Sequence, residues 1–122
     1  MLEQGGGTIV NNSSVRGLIG MPGGPAYVGT KHGVIGLTKS AALEFATQNI
    51  RVNSVCPGYT MTDLTAGTLT DPDKLKSAME KLPMGRYAEA SEIASTVLWL
   101  CGEGSSFITG QSIAPDGGWS VW

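Results

Sequence analysis

Tyr27 and Lys31 stand four residues apart, and Ser14 lies thirteen residues before the tyrosine. On a helix, a separation of four puts two side chains on one face, one turn apart. An ammonium beside a phenol favours the ionised phenol, and a phenol so placed can give or take a proton near neutral pH. A serine hydroxyl close by can hydrogen-bond the oxygen on which charge develops. The chemistry open to these three types is proton transfer to a carbonyl oxygen or from an alcohol. Tyr27-Val28-Gly29-Thr30-Lys31 is short enough to arise by chance on a surface helix, so its setting has to decide.

The elements around the three residues give that setting. Thr8-Ile9-Val10-Asn11 is β-branched, follows three glycines and reads as a strand. Asn12 to Pro25 is a loop, with Pro25 suited to a first helical position. A helix is predicted from about Ala26 to Ala46, with Val34, Leu37, Ala41 and Phe45 as its apolar repeat. Gly29, Gly33 and Gly36 lie inside it at a cost of about 1 kcal/mol each against alanine, which a closely packed neighbouring helix would explain. Ile50 to Cys56 reads as the second strand, stopped by Pro57-Gly58. Strand, long helix and strand with short joints form a right-handed parallel unit. Tyr59 to Thr70 reads as a threonine-rich loop, and Asp71-Pro72 opens a helix to about Lys81. Ser91 is the expected cap of a helix over Glu92–Cys101, with Ile93, Val97, Leu98 and Cys101 inward and Gly102 as its stop. Gln111 to Pro115 is the last strand. The order predicts an α/β fold, a parallel sheet of about three strands with helices on its faces. Ligands bind such sheets beyond the carboxyl ends of the strands, where Ser14 and the segment Pro57–Thr62 should meet the start of the Tyr27 helix.

Composition narrows the alternatives. The 122 residues are 41% hydrophobic and 15% charged, with a net charge of −2 and no cluster among the eight Lys and Arg. That argues against a nucleic-acid surface. Met1-Leu2-Glu3-Gln4 is no secretory signal, and the longest apolar run, Val97 to Cys101, cannot span a bilayer. Cys56 and Cys101 have no metal-like spacing and read as buried reduced thiols of a cytoplasmic protein. His32 reads as a helix-surface residue, Asn53 as a core residue bonding backbone, Asp116 as a turn former and Gly58 as a turn glycine of positive φ. Trp99, Trp119 and Trp122 read as core or interface residues. A serine hydrolase using Ser14 with Lys31 as base is disfavoured, since there is no Gly-x-Ser-x-Gly elbow and no second base.

Five segments in order carry a resemblance: Asn12-Ser13-Ser14, Tyr27 to Lys31, Asn53-Ser54-Val55-Cys56-Pro57-Gly58, Thr62, and Gly110-Gln111 with Asp116-Gly117-Gly118. On these residues the chain resembles the carboxyl-terminal half of a short-chain dehydrogenase/reductase, that is, part of a Rossmann-like domain over residues 1–122. The resemblance implies an oxidoreductase passing hydride between NAD or NADP and an alcohol/carbonyl pair. Tyr27 would be the general acid/base. Lys31 would favour its ionised form and hold the nicotinamide ribose hydroxyls, and Ser14 would bind the substrate oxygen. Pro57, Gly58, Tyr59, Thr60 and Thr62, with Tyr27 and Lys31, would line the cofactor pocket. Asp63 to Met84 would be a variable lid over a small-molecule alcohol or carbonyl substrate. Metal, membrane and nucleic acid have no place in this reading.

The sequence also departs from the family pattern. No G-x-x-x-G-x-G turn joins a strand to a helix, and Gly5-Gly6-Gly7 precedes a strand instead. The family's catalytic asparagine belongs to a helix before the serine strand, and Asn11 and Asn12 do not replace it. The first strand is therefore expected to keep an open edge. The isolated chain is expected to be inactive and marginally stable, or to associate with a copy of itself or with a complementing half. The alternative is a non-enzymatic association module that packs through the Ala26–Ala46 helix.

Overall fold

The structure, a computed structural model, describes residues 1–121, with Leu69 described through its backbone alone. Trp122, expected in the core or an interface, lies outside the described residues. Strand β1 spans Gly7–Asn12 and follows a turn in which Gly5 and Gly6 have φ of 81° and 140°. Helix α1, Pro25–Phe45, crosses over to strand β2, Ile50–Val55. Two short helices follow, α2 at Ala66–Leu69 and α3 at Pro72–Met79, then α4 at Ala90–Cys101 and strand β3 at Ser112–Ile113. The sheet order is β1-β2-β3 and both pairings are parallel, with Gly7 opposite Ile50 and Ser54 opposite Ser112. The parallel α/β reading holds, and β1 is an edge strand in this sheet.

Pro25 opens α1 as expected, because a first-turn N–H has no helical partner to lose. The buried face of α1 is different from the expected one. Ile35, Thr38 and Ala42 are buried, whereas Leu37 is 64% exposed. The helix carries apolar residues on both sides, so periodicity alone admits two inward faces. Ala42 packs with Ile50 and Val52 of β2, with Ala41 and Phe45 at the margin.

Helix α4 also corrects the sequence reading. Its cap is Glu89, in a capping box with Glu92, and Ser91 lies inside the first turn. Leu100 is its buried residue, while Leu98 and Cys101 are exposed and Ile93 and Val97 are half-buried. Cys101 is thus a free surface thiol, and only Cys56 is buried. Gly102 does end the helix, donating its N–H to the Leu98 and Trp99 carbonyls at 3.0 Å. Arg51 of β2 secures the same end, donating to the Leu100 carbonyl at 2.8 Å and to Thr8 Oγ1 at 3.0 Å. A guanidinium over the last carbonyls of a helix complements its negative pole.

Asn53, fully buried, bonds backbone as expected. Its Nδ2 donates to the Ile108 carbonyl at 2.9 Å and its Oδ1 accepts from Gln111 N at 3.0 Å, which fixes the approach to β3. Asp116 closes the final turn by accepting from Gly118 N and Ser120 N, both at 2.9 Å. A second core beneath α3 gathers Val15, Ala78, Leu82, Tyr87 and Trp119. Among the described residues no helix is long and apolar enough to cross a membrane.

Candidate active site

The backbone ladder of the sheet continues past the strand ends. Ser13 N donates to the Val55 carbonyl at 2.8 Å, Val15 N to Pro57 at 2.9 Å, Cys56 N to Ile113 at 2.7 Å and Gly58 N to Pro115 at 3.2 Å. Three loops thereby leave the carboxyl end of the sheet in fixed register. Gly58 is needed here for proximity rather than for positive φ. A Cβ on it would lie 2.7 Å from Asp116 Cα, and its φ is not in the left-handed region.

A cavity of about 420 Å³ opens at this end of the sheet. Ser14, Tyr27 and Lys31 line it together with Pro57, Gly58, Thr60 and Thr62. The size falls within the range of small-molecule pockets. Tyr59 is the exception among the expected residues and does not line this cavity. Its ring stacks between Tyr87 and Trp119, at centroid distances of 5.0 and 4.6 Å, as part of the second core. A large apolar ring gains more from that burial than from a polar cavity wall.

Two of the three chemistry-bearing side chains, Ser14 and Lys31, have a defined support. Ser14 caps the short turn Val15–Gly17, with its Oγ accepting from Arg16 N at 3.1 Å. That bond uses an oxygen lone pair and leaves the hydroxyl proton free to donate outward. Lys31 Nζ donates to the Asn12 carbonyl at 3.1 Å and lies 5.8 Å from the Tyr27 ring centroid. Tyr27 is 46% exposed in the first turn of α1, on the side of the cavity. His32, one residue past Lys31, is exposed and engages the Val28 carbonyl of its own helix.

Several further residues on the cavity wall were not among the expected cofactor-pocket residues. Leu64 and Thr65 line it from the lid segment, Ile93 from α4, and Asn12 and Ser13 from the end of β1. Beneath the site the Cys56 thiol is pushed up by burial, an effect partly offset by hydrogen bonding with Ser54 and with the Ser14 backbone. At the other end of the lid, Arg86 grips Glu92 with two contacts of 2.7 Å and holds its carboxyl at about 2. No group of His, Cys, Asp and Glu among the described residues is arranged to hold a metal ion.

A family model described as enoyl-(acyl carrier protein) reductase matches residues 1–120. The 3-oxoacyl-[acyl-carrier-protein] reductase FabG of Thermotoga maritima is 44% identical over 119 residues, covering 97% of this chain and 47% of the relative. An A-factor type gamma-butyrolactone 1'-reductase of Streptomyces virginiae is 42% identical over 123 residues, covering 99% of this chain and 48% of the relative. Among solved structures, a gluconate 5-dehydrogenase from Burkholderia cenocepacia in complex with NADP and tartrate matches with a TM-score of 0.94. It is 29% identical and covers 99% of this chain and 48% of its own. A 4-hydroxyisoleucine dehydrogenase complexed with NADH matches at 0.92 and 38% identity, covering 94% and 47%. The chain spans about half the length of the relatives it matches.

Proposed function

Because the chain belongs to the short-chain dehydrogenase/reductase family, we propose that it supplies the proton-transfer side of an NAD- or NADP-dependent oxidoreductase acting on an alcohol/carbonyl pair. The observation carrying this reading is that Ser14, Tyr27 and Lys31 line one cavity with Pro57, Gly58, Thr60 and Thr62. That wall suits the nicotinamide end of the cofactor. Pro57, Leu64 and Ile93 are apolar, Thr60 and Thr62 bring hydroxyls, and Lys31 brings an ammonium. The phosphate-binding turn is not in this sequence, so the rest of the cofactor needs groups from outside it.

A nicotinamide held against Pro57, Thr60 and Thr62 would supply the hydride chemistry. Ser14 donates its free hydroxyl proton to the substrate oxygen and orients the carbonyl. Tyr27 gives its phenolic proton to that oxygen in reduction and takes it back in oxidation. Lys31, tethered through Asn12, stands one helical turn from Tyr27 and would offer its remaining N–H groups to the ribose hydroxyls. The lid segment Asp63–Met84 covers the substrate, and its Leu64, which lines the cavity, favours one with an apolar portion.

The test joins this chain to the amino-terminal half of the Thermotoga maritima relative and follows nicotinamide absorbance with a panel of ketones. Turnover is expected, and Tyr27→Phe should lower kcat by about 10²–10⁴-fold. Turnover that Tyr27→Phe leaves intact would refute the assignment. The unfused chain is expected to show none.

A second reading is association through α1. Among the described residues, nothing lies within 4 Å of the position a Cβ would take on Gly29, Gly33 or Gly36, and Leu37 and Leu43 on this helix are 64% and 85% exposed. A second copy of this chain packed there would account for both features. Sedimentation at micromolar concentration should then show dimers, and a monomer would exclude this reading.

A further inference from the structure

We propose that Ser13, rather than serving as a spacer before Ser14, is the positioning residue that clamps Lys31. The inference rests on the role given to Lys31 above. Ser13 is 4% exposed, and its Oγ donates to the Lys31 carbonyl at 2.9 Å, bridging the end of β1 and the interior of α1. Its own N–H is spent on the Val55 carbonyl of β2, so one residue joins two strands and the helix. The side chain of Lys31 turns back to the neighbouring residue, with Nζ on the Asn12 carbonyl at 3.1 Å. Lys31 is therefore held at both ends by two consecutive residues, and Ser14 is the next residue along.

Gly17 supports the same reading independently. A Cβ there would lie 2.6 Å from Ser13 Oγ and 2.8 Å from the Lys31 carbonyl oxygen. The turn carrying Ser14 thus closes directly over the Ser13–Lys31 bond, and only a glycine allows it. The bond is not needed to satisfy a buried acceptor, because the Lys31 carbonyl lies inside an unbroken helix and keeps its helical partner. The role left for the hydroxyl is placement, setting the distance from the Lys31 ammonium to Ser14 and Tyr27.

Competitive acylation of lysines in this chain, read peptide by peptide, tests the clamp without cofactor or turnover. It can fail while the dehydrogenase reading stands, and the Tyr27→Phe experiment can fail while the clamp stands. Lys39, exposed on the same helix, is the reference. Cys56, buried, against Cys101, exposed, reports by thiol labelling that the fold persists. In the unmutated chain Lys31 should acylate more slowly than Lys39. Ser13→Ala should raise the Lys31 to Lys39 ratio about two- to tenfold, the factor expected for one lost hydrogen bond, with Cys56 still protected. Ser13→Thr should restore the original ratio. Equal rates in the unmutated chain, or a ratio indifferent to Ser13→Ala, would overturn the proposal. Loss of Cys56 protection in Ser13→Ala would overturn it too, since the hydroxyl would then serve the fold at large.

Discussion

The end of β1 and the segment from Thr60 to Met84 border the same cavity, yet they are held by different forces. At the end of β1 the ties are directional and reach far along the chain. Asn11 Nδ2 donates to Thr38 Oγ1 at 2.9 Å, Lys31 Nζ to Asn12, and Ser13 Oγ to Lys31. In the Thr60–Met84 segment the side-chain bonds are local: Thr65 to Thr60 and Thr62, Thr70 to Ala66, and Asp71 to the N–H groups of Asp73 and Lys74. Its side-chain attachment to the rest of the protein is apolar, through Ala78 and Leu82 on Val15, Tyr87 and Trp119. Hydrogen bonds fix angles and distances, whereas hydrophobic contact is non-directional. The groups assigned to proton transfer thus stand on the side that fixes geometry. The side assigned to the substrate is tied by packing, part of it on Val15 in the turn that Ser14 caps.

The largest expected effect tests the apolar attachment. Leu82 is 4% exposed in the second core, and Leu82→Ala should cost about 2–5 kcal/mol, seen as a lower urea midpoint. Limited proteolysis should then cut first between residues 63 and 84. Cleavage in α1 appearing equally early would break the comparison.

Glycine substitutions sharpen it, because one change should have opposite signs in the two regions. Gly17→Ala forces a Cβ against Ser13 Oγ, the Lys31 carbonyl and Ile35 Cδ1, all within 2.9 Å, and should destabilise by about 1–3 kcal/mol. Gly67→Ala in α2 meets nothing within 4 Å among the described residues and should stabilise by up to about 1 kcal/mol. Gly33→Ala, equally open, should stabilise a monomer by a similar ~0.5–1 kcal/mol. If a second copy packs on that face, Gly33→Ala should instead weaken self-association in a dilution series.

The same contrast explains what could be read from the amino acids alone. Ser14, Tyr27 and Lys31 were legible because proton transfer needs those types at helical and strand-end spacing. Pro25 and Pro57 were legible because each limits what the backbone can do. The inward face of α1 was not, since Leu37 and Leu43 outside match Ile35 and Ala42 inside in character, and the sheet makes the choice. Helix α2 was hidden by Gly67 and Thr68, poor helix formers held in a turn of local bonds. The cap of α4 went to Ser91 because a serine before an apolar run is the stronger local signal. The Arg86 grip on Glu92, which sets up the Glu89 box, is a contact across six residues that no capping rule contains. Ser13 and Gly17 were in plain sight as Ser-Ser and a glycine three residues later, but their role depends on α1 passing close by.

The smallest effect concerns acid, at the far end of the variable segment. Arg86 holds the Glu92 carboxyl at about 2, below its ordinary 4.5, with the Glu89 N–H as a second support. A depressed folded value means that the folded state releases this proton more readily than the unfolded one. The contribution is complete above about pH 4.5 and is lost as pH falls toward 2. Both partners are about half exposed, so the effect on overall stability should be slight. Its location is the informative part. Amide exchange near Arg86 and Tyr87 should quicken across that window. Exchange around Lys31 to Ile35 should not, because no carboxylate takes part in the Ser13, Asn12 and Gly17 contacts there. Arg86→Ala should move the Glu92 titration, followed by its carboxyl carbon resonance, up toward 4.5 and remove the difference between the regions in acid. If the two regions loosen together in the unmutated protein, their hydrogen bonds and apolar contacts belong to one cooperative unit, and the division drawn between them fails.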